Sequence, residues 1–168
     1  LLGEDASEEF TYQLSDGLAT TPGTLHVEIH ASNEIPVVNI PSGFAAVEDV
    51  QVDLVFSKPS DAAYRPFADP DSNILVVEVS VDEGALLAPA AVFTSSGMAA
   101  GGGLVKARWI EVGKSLEVTG QKSALNAFFM TAGNLAYLGA QDANGEVVLS
   151  VDVSDRIEHA PLHTAIIS

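Results

Sequence analysis

Between Val147 and Val153 every second residue is apolar: Val147, Leu149, Val151 and Val153 alternate with Val148, Ser150 and Asp152. Successive side chains of a strand point to opposite faces, so this run presents one apolar face only when it is extended. Asn144-Gly145 lies just upstream and supplies the residues that a tight reversal with positive φ requires. Before it, Leu135 and Tyr137 alternate with small residues. The pattern predicts a β-hairpin over residues 134–153, with Asp142, Asn144 and Glu146 at its tip as a short cluster of oxygen ligands.

The same grammar recurs along the chain. Phe10 to Leu14 reads as a short strand closed by Ser15-Asp16-Gly17. After a turn signal at Pro22-Gly23, Leu25, Val27 and Ile29 alternate with His26, Glu28 and His30. Residues 35–40 form an apolar run bracketed by Pro36 and Pro41, which suits an edge or a bend. Val50, Val52, Leu54 and Phe56 mark a further strand, and residues 74–81 are the most continuously apolar one.

Residues 58–72, with Pro59, Pro66 and Pro70, read as a long loop, and residues 82–103 as an Ala- and Gly-rich one holding a short strand over 91–94. Residues 104–112 predict a strand with Val105, Ala107 and Trp109 inward, followed by Leu116 and Val118. Trp109 is expected in the core rather than on a sugar-stacking platform. Lys106 and Arg108 share the other face, where they are expected to pair with acids. Residues 123–132 fit two patterns: Leu125, Phe128 and Phe129 have helical spacing with Gly133 as a candidate C-cap, while the Phe pair also suits a strand. The strand is the expectation taken here. A last strand fits residues 164–167.

Many short strands with no repeating βα unit predict an all-β fold: an antiparallel β-sandwich, expected as a single jelly roll of about 8–10 strands. Residues 1–9 hold four acids and no periodicity, so the expected organisation is an N-terminal arm over 1–9 and one domain over 10–168. The chain begins with Leu1 rather than Met, which fits a removed signal or pro-segment and equally a chain with further residues before Leu1; nothing in residues 1–9 decides between them.

Charge decides which function classes are open. Asp plus Glu number 23 against 7 Lys plus Arg, giving a net charge of −16. Affinity for phosphate backbones and anionic lipid depends on Lys and Arg, so nucleic-acid contact is not expected. Such self-repulsion is tolerated in molar salt, as in a halophilic source, and equally in an ordinary acidic secreted protein. There is no cysteine, which excludes disulfide and thiolate chemistry. No run approaches the ~20 apolar residues of a membrane span.

Two sets of residues have the chemistry of metal ligands. His26, Glu28 and His30 share one strand face, but their ~7 Å spacing spans too far for one ion unless His159 or His163 joins them. Asp69-Pro70-Asp71-Ser72-Asn73 resembles the start of a calcium loop, with Asp69, Asp71 and Asn73 at alternate positions. It lacks the glycine at the sixth position, where Ile74 stands, and the glutamate at the twelfth, where Ser80 stands. The ordinary reading of the first set is a solvated strand face, and of the second a Pro-Asp turn. Gly113-Lys114-Ser115 lacks the leading glycine of a phosphate loop, since Arg108 holds that place. No catalytic residue and no cofactor are expected.

In size, strand pattern and acidity across its whole length the chain resembles the single jelly-roll major capsid proteins of tailless, membrane-containing icosahedral viruses of halophilic archaea. That resemblance rests on no single residue. It implies a virion coat subunit that packs with copies of itself and beside a larger related jelly-roll partner, over an internal membrane it does not cross. A mean hydropathy of +0.26 is high for so acidic a chain and suits surfaces buried in an assembly. Two alternatives remain at this stage: a secreted acidic β-sandwich that binds glycan or protein and is calcium-stabilised, and a jelly-roll metalloenzyme using His26, His30 and one of His159 or His163.

Overall fold

The computed structural model describes residues 5–30, 32–47, 49–141 and 145–168. The chain separates into two compact units, residues 1–33 and 34–168.

The first unit is a two-stranded antiparallel ribbon of β1 (Ala6–Ser15) and β2 (Thr20–Ile29), paired from Ala6↔Ile29 to Ser15↔Thr20. Asp16 closes it: its Oδ1 accepts hydrogen bonds from the Leu18 N–H (2.8 Å) and the Ala19 N–H (2.7 Å), and Gly17 takes a φ of +89°. Those two bonds hold the Asp16 carboxyl below the usual carboxylate range. Pro22-Gly23, expected as a turn, lies within β2 instead, opposite Gln13 and Tyr12. The reason is cross-strand packing: the Tyr12 ring covers Gly23 so closely that a Cβ there would collide with it.

The second unit is a β-sandwich. Its short strands are β3 (Val37–Val38), β4 (Gly43–Phe44), β5 (Val52–Asp53), β6 (Phe67–Ala68) and β8 (Ala85–Leu87), with β7 (Ile74–Val81) the first long one. After a 3-10 turn at Ala90–Phe93 come β9 (Met98–Ala100), β10 (Gly103–Glu111), β11 (Ser115–Gln121), helix α1 (Lys122–Phe129), β12 (Ala136–Leu138), β13 (Val147–Ser154) and β14 (His163–Ile167). One layer is a seven-stranded sheet in the order β4-β14-β13-β7-β11-β10-β9. Across the core lie the small sheets β5-β12-β8 and β3-β6, with α1.

Period-two alternation explains the main sheet. Leu75, Val77 and Val79 of β7, Leu116 and Val118 of β11, and Leu149, Val151 and Val153 of β13 are fully buried, while the residues between them are half-buried on the other face. The opposing layer contributes Leu54, Phe56, Phe67, Phe128 and Phe129, whose aromatic rings meet at centroid distances of 5.1 to 6.2 Å. Trp109 is partly buried against this core and stacks on Phe93 at 5.4 Å.

Three sequence expectations are corrected. Residues 134–153 do not form a hairpin: β12 pairs with β5 and β8, while β13 pairs with β7 and β14 in the other sheet. Asp142 and Asn144, expected at the hairpin tip, lie outside the described residues. Residues 123–132 form helix α1 rather than a strand, because helical spacing puts Leu125, Phe128 and Phe129 on the buried side. Asn126 joins them in the core, where its amide bonds both backbone groups of Phe67 (2.9 and 2.8 Å) and so fastens α1 to β6.

The third correction concerns strand direction. The all-β sandwich predicted from the sequence is present, but β4 joins β14 in parallel, so its seven-stranded sheet is mixed rather than purely antiparallel. Among the described residues no helix is long and apolar enough to cross a membrane.

Candidate functional sites

The ribbon has two unlike faces. Directly opposed residues share a face, so Phe10 with Leu25, Tyr12 with Gly23, and Leu14 with Thr21 lie on the side of Val27 and Ile29. Phe10, Tyr12, Leu14, Leu25 and Ile29 are each between 49% and 70% exposed. The other side carries Glu9, Thr11, Gln13, Thr24, His26 and Glu28. An isolated two-stranded hairpin is marginal in water.

The sequence-predicted ligands His26 and Glu28 lie on the polar side, with His30 just beyond β2. His26 Nδ1 is 3.4 Å from Glu9, whereas His30 faces two acids, Nδ1 at 3.6 Å from Asp5 and Nε2 at 3.8 Å from Glu28. All are largely exposed, so these are solvated contacts of small energy. The other two histidines have partners of their own. His159 Nδ1 lies 3.0 Å from Asp152, and His163 Nδ1 lies 2.6 Å from the Pro161 carbonyl.

The aspartates of the predicted calcium-like loop are brought together differently from the sequence expectation. Asp69 and Asp71 lie in the turn between β6 and β7, and Asp155 follows β13; a ligand oxygen from each lies within 4.8 Å of those of the other two. Asn73 is exposed. The register supplies the third residue. Ser154 at the end of β13 pairs with Val76 near the start of β7, which sets Asp155 beside the 69–73 turn. Nothing local in the sequence marks Asp155, since only strand pairing makes it a neighbour.

Each carboxylate spends one oxygen on backbone. Asp69 Oδ1 accepts from the Asp71 N–H (3.1 Å) and the Ser72 N–H (2.6 Å). Asp71 Oδ2 accepts from the Glu34 N–H (2.9 Å), and Asp155 Oδ1 from those of Ile157 (2.8 Å) and Glu158 (2.7 Å). With both carboxyls ionised, Asp69 Oδ2 and Asp71 Oδ1 are buried and meet no donor.

Asp69 as a whole is 6% exposed. Burial pushes its carboxyl above the usual range, with the neighbouring Asp71 adding to the rise. Asp71 is held below that range, first by the Asp69 carboxyl as hydrogen-bond partner and then by the Glu34 N–H. Lys122 Nζ bonds the Asp69 backbone carbonyl, and no Lys, Arg or His forms an ion pair with Asp69 or Asp71 among the described residues. Two carboxylates at such spacing repel by about 3 kcal/mol at an effective dielectric near 20.

A second acidic feature crosses the outer face of the main sheet. Asp152, Glu78 and Glu117 are direct neighbours across β13, β7 and β11, and Arg108 on β10 completes the row. Arg108 forks onto Glu117 with two bonds of 2.7 Å, as expected for a basic residue on that strand. His159 flanks the row at Asp152, and Ser115 Oγ donates to Glu78 (2.6 Å). A cleft of about 210 Å³ lies elsewhere, lined by Val47, Glu83, Tyr137 and Glu146 among others. Burial, with Glu83 and Asp82 nearby, pushes the Tyr137 phenol upward, so it is a protonated group there and not a base.

No protein-family model, no curated protein and no solved structure matches this chain.

Proposed function

We propose that this chain is a structural subunit of a multi-copy assembly, with the virion coat that its sequence resembles as the form of that assembly. The observation that carries the reading is the ribbon of β1 and β2. Ten paired positions put Phe10, Tyr12, Leu14, Leu25 and Ile29, each about half exposed or more, on one face with Ala6, Glu8 and the less exposed Val27. The element is too small to hold itself together in water. Two copies of such a face are self-complementary. Packing Phe10, Tyr12, Leu14, Leu25 and Ile29 against the same residues of a neighbour turns two marginal ribbons into a four-stranded sandwich with an apolar interior. The acidic surface of the rest then keeps assembled copies soluble in salt, where its repulsion is screened. In this reading the protein is not an enzyme, and its partners are copies of itself or a related coat protein.

The test is light scattering on the full chain, at ordinary and at molar salt, beside a variant carrying Phe10→Thr and Leu25→Thr. Threonine keeps the preference for strand while removing the apolar surface. The wild type is expected to associate more strongly in molar salt, and the variant to stay monomeric with unchanged melting of the sandwich. Ordered particles in electron micrographs of the source material at high salt identify the assembly as a coat. A wild type that stays monomeric in both salts, with no particles, defeats the reading.

A further inference from the structure

We propose that Asp69, Asp71 and Asp155 bind a calcium ion that fastens the turn before β7 to the end of β13. Three carboxylates, from two segments far apart in the chain, place ligand oxygens within 4.8 Å of one another. Proximity alone does not make a site, because acids gather on any surface this acidic. The distinguishing observation is Asp69, a residue more than nine-tenths buried whose Oδ2 meets no donor when it and Asp71 are both ionised. Buried polar atoms are nearly always satisfied, and an orphaned carboxylate oxygen facing two more carboxylates has the environment of a cation ligand. Asp71 Oδ1 is a second buried oxygen with no partner in the same place.

The donor set selects the ion. It is all carboxylate oxygen, with no thiolate or imidazole, which suits hard cations and not zinc or copper. Magnesium is usually held by one or two carboxylates and keeps several waters. Calcium takes six to eight oxygens in irregular geometry, so three carboxylates fit within its shell and water or carbonyl oxygens complete it. The backbone bonds described above set each carboxylate in place before the ion arrives, which lowers the ordering cost of binding. Asp71 also holds the Glu34 N–H, so the ion ties the entrance of the sandwich unit to the same point.

The competing occupant is a proton shared between Asp69 and Asp71, and the experiment separates the two. The full chain is stripped with a chelator, then titrated with calcium chloride by calorimetry and melted at increasing calcium, with magnesium chloride as the control. One calcium per chain is expected, with a melting temperature that climbs as calcium rises and much less response to magnesium. Asp71→Asn and Asp155→Asn are each expected to weaken calcium binding by roughly tenfold or more. Their metal-free forms should melt no lower than the metal-free wild type, because repulsion is relieved. That last readout distinguishes a ligand from a merely structural residue, and either variant suffices should the other not fold. If stripped and calcium-loaded wild type melt together with no binding heat at millimolar calcium, the proposal is wrong. An equal calcium response in wild type and in both variants overturns it too, since that is charge screening.

Discussion

Strands β2 and β13 carry the same alternation and meet opposite fates. In β13 every second residue from Val147 to Val153 is buried; in β2, Leu25 and Ile29 remain about half exposed. The difference lies in neighbours. β13 has β7 on one side, β14 on the other and a second layer across the core, whereas β2 has β1 alone. Alternation therefore reports that a strand has an apolar face, and the number of elements able to cover that face decides whether it is core or interface.

The sharpest way to break this comparison is to truncate one aromatic in each region and follow denaturant unfolding of the sandwich. Phe129→Ala, in the middle of the ring cluster, should cost about 3–5 kcal/mol. Phe10→Ala should cost the sandwich less than about 0.5 kcal/mol while weakening association. Equal losses would show that the ribbon face is part of the core after all. Asn126→Ala comes next, at about 2 kcal/mol or more, because it leaves the N–H and C=O of Phe67 buried without partners. Hydrogen exchange should rise first at Phe67 in that variant.

A smaller effect of opposite sign is expected on the outer face of the main sheet. Glu78 stands directly between Asp152 and Glu117, and like charges opposite one another destabilise a sheet. Glu78→Gln keeps an oxygen for Ser115 and should raise stability by up to about 1 kcal/mol in low salt, with the gain shrinking in molar salt. A gain that ignores salt would mean the row is not electrostatic.

The smallest effect concerns acid. The Arg108 hydrogen bonds, then burial acting the other way, then the Arg108 charge leave the Glu117 carboxyl below the usual glutamate range. The pair thus contributes fully above the unfolded glutamate pKa, and its contribution is lost as pH falls through the depressed folded value. Arg108→Gln should lower stability near neutral pH and flatten the decline between about pH 6 and about pH 3, measured by urea midpoints. An acid limb as steep as that of wild type would assign the decline to other carboxylates.

Much of this architecture is legible in the sequence because long strands buried on one face must alternate. β7, β10, β13 and the second half of β2 lie where that pattern predicts. Less legible is anything decided between distant segments. Leu135 and Tyr137 carry a strand signal, yet the partners of β12 are β5 and β8 and not β13, since pairing is chosen by the whole core. Phe128 and Phe129 satisfy both periodicities over so few residues that tertiary packing makes the choice. Asp69 and Asp71 could be singled out by their spacing, while Asp155 is visible only through the register of β13 on β7.

The parallel pairing of Gly43 and Phe44 with Ile166 and Ile167 has a consequence in time. A chain made from its N-terminus completes the ribbon once Ile29 has emerged, and this needs only local contacts. β4 must wait for β14, so the main sheet stays open at that edge until residues 163–167 have emerged. Non-local pairing of this kind is slow and leaves strands unprotected meanwhile. The ribbon, whose pairing is local, is thus complete well before the main sheet of the sandwich.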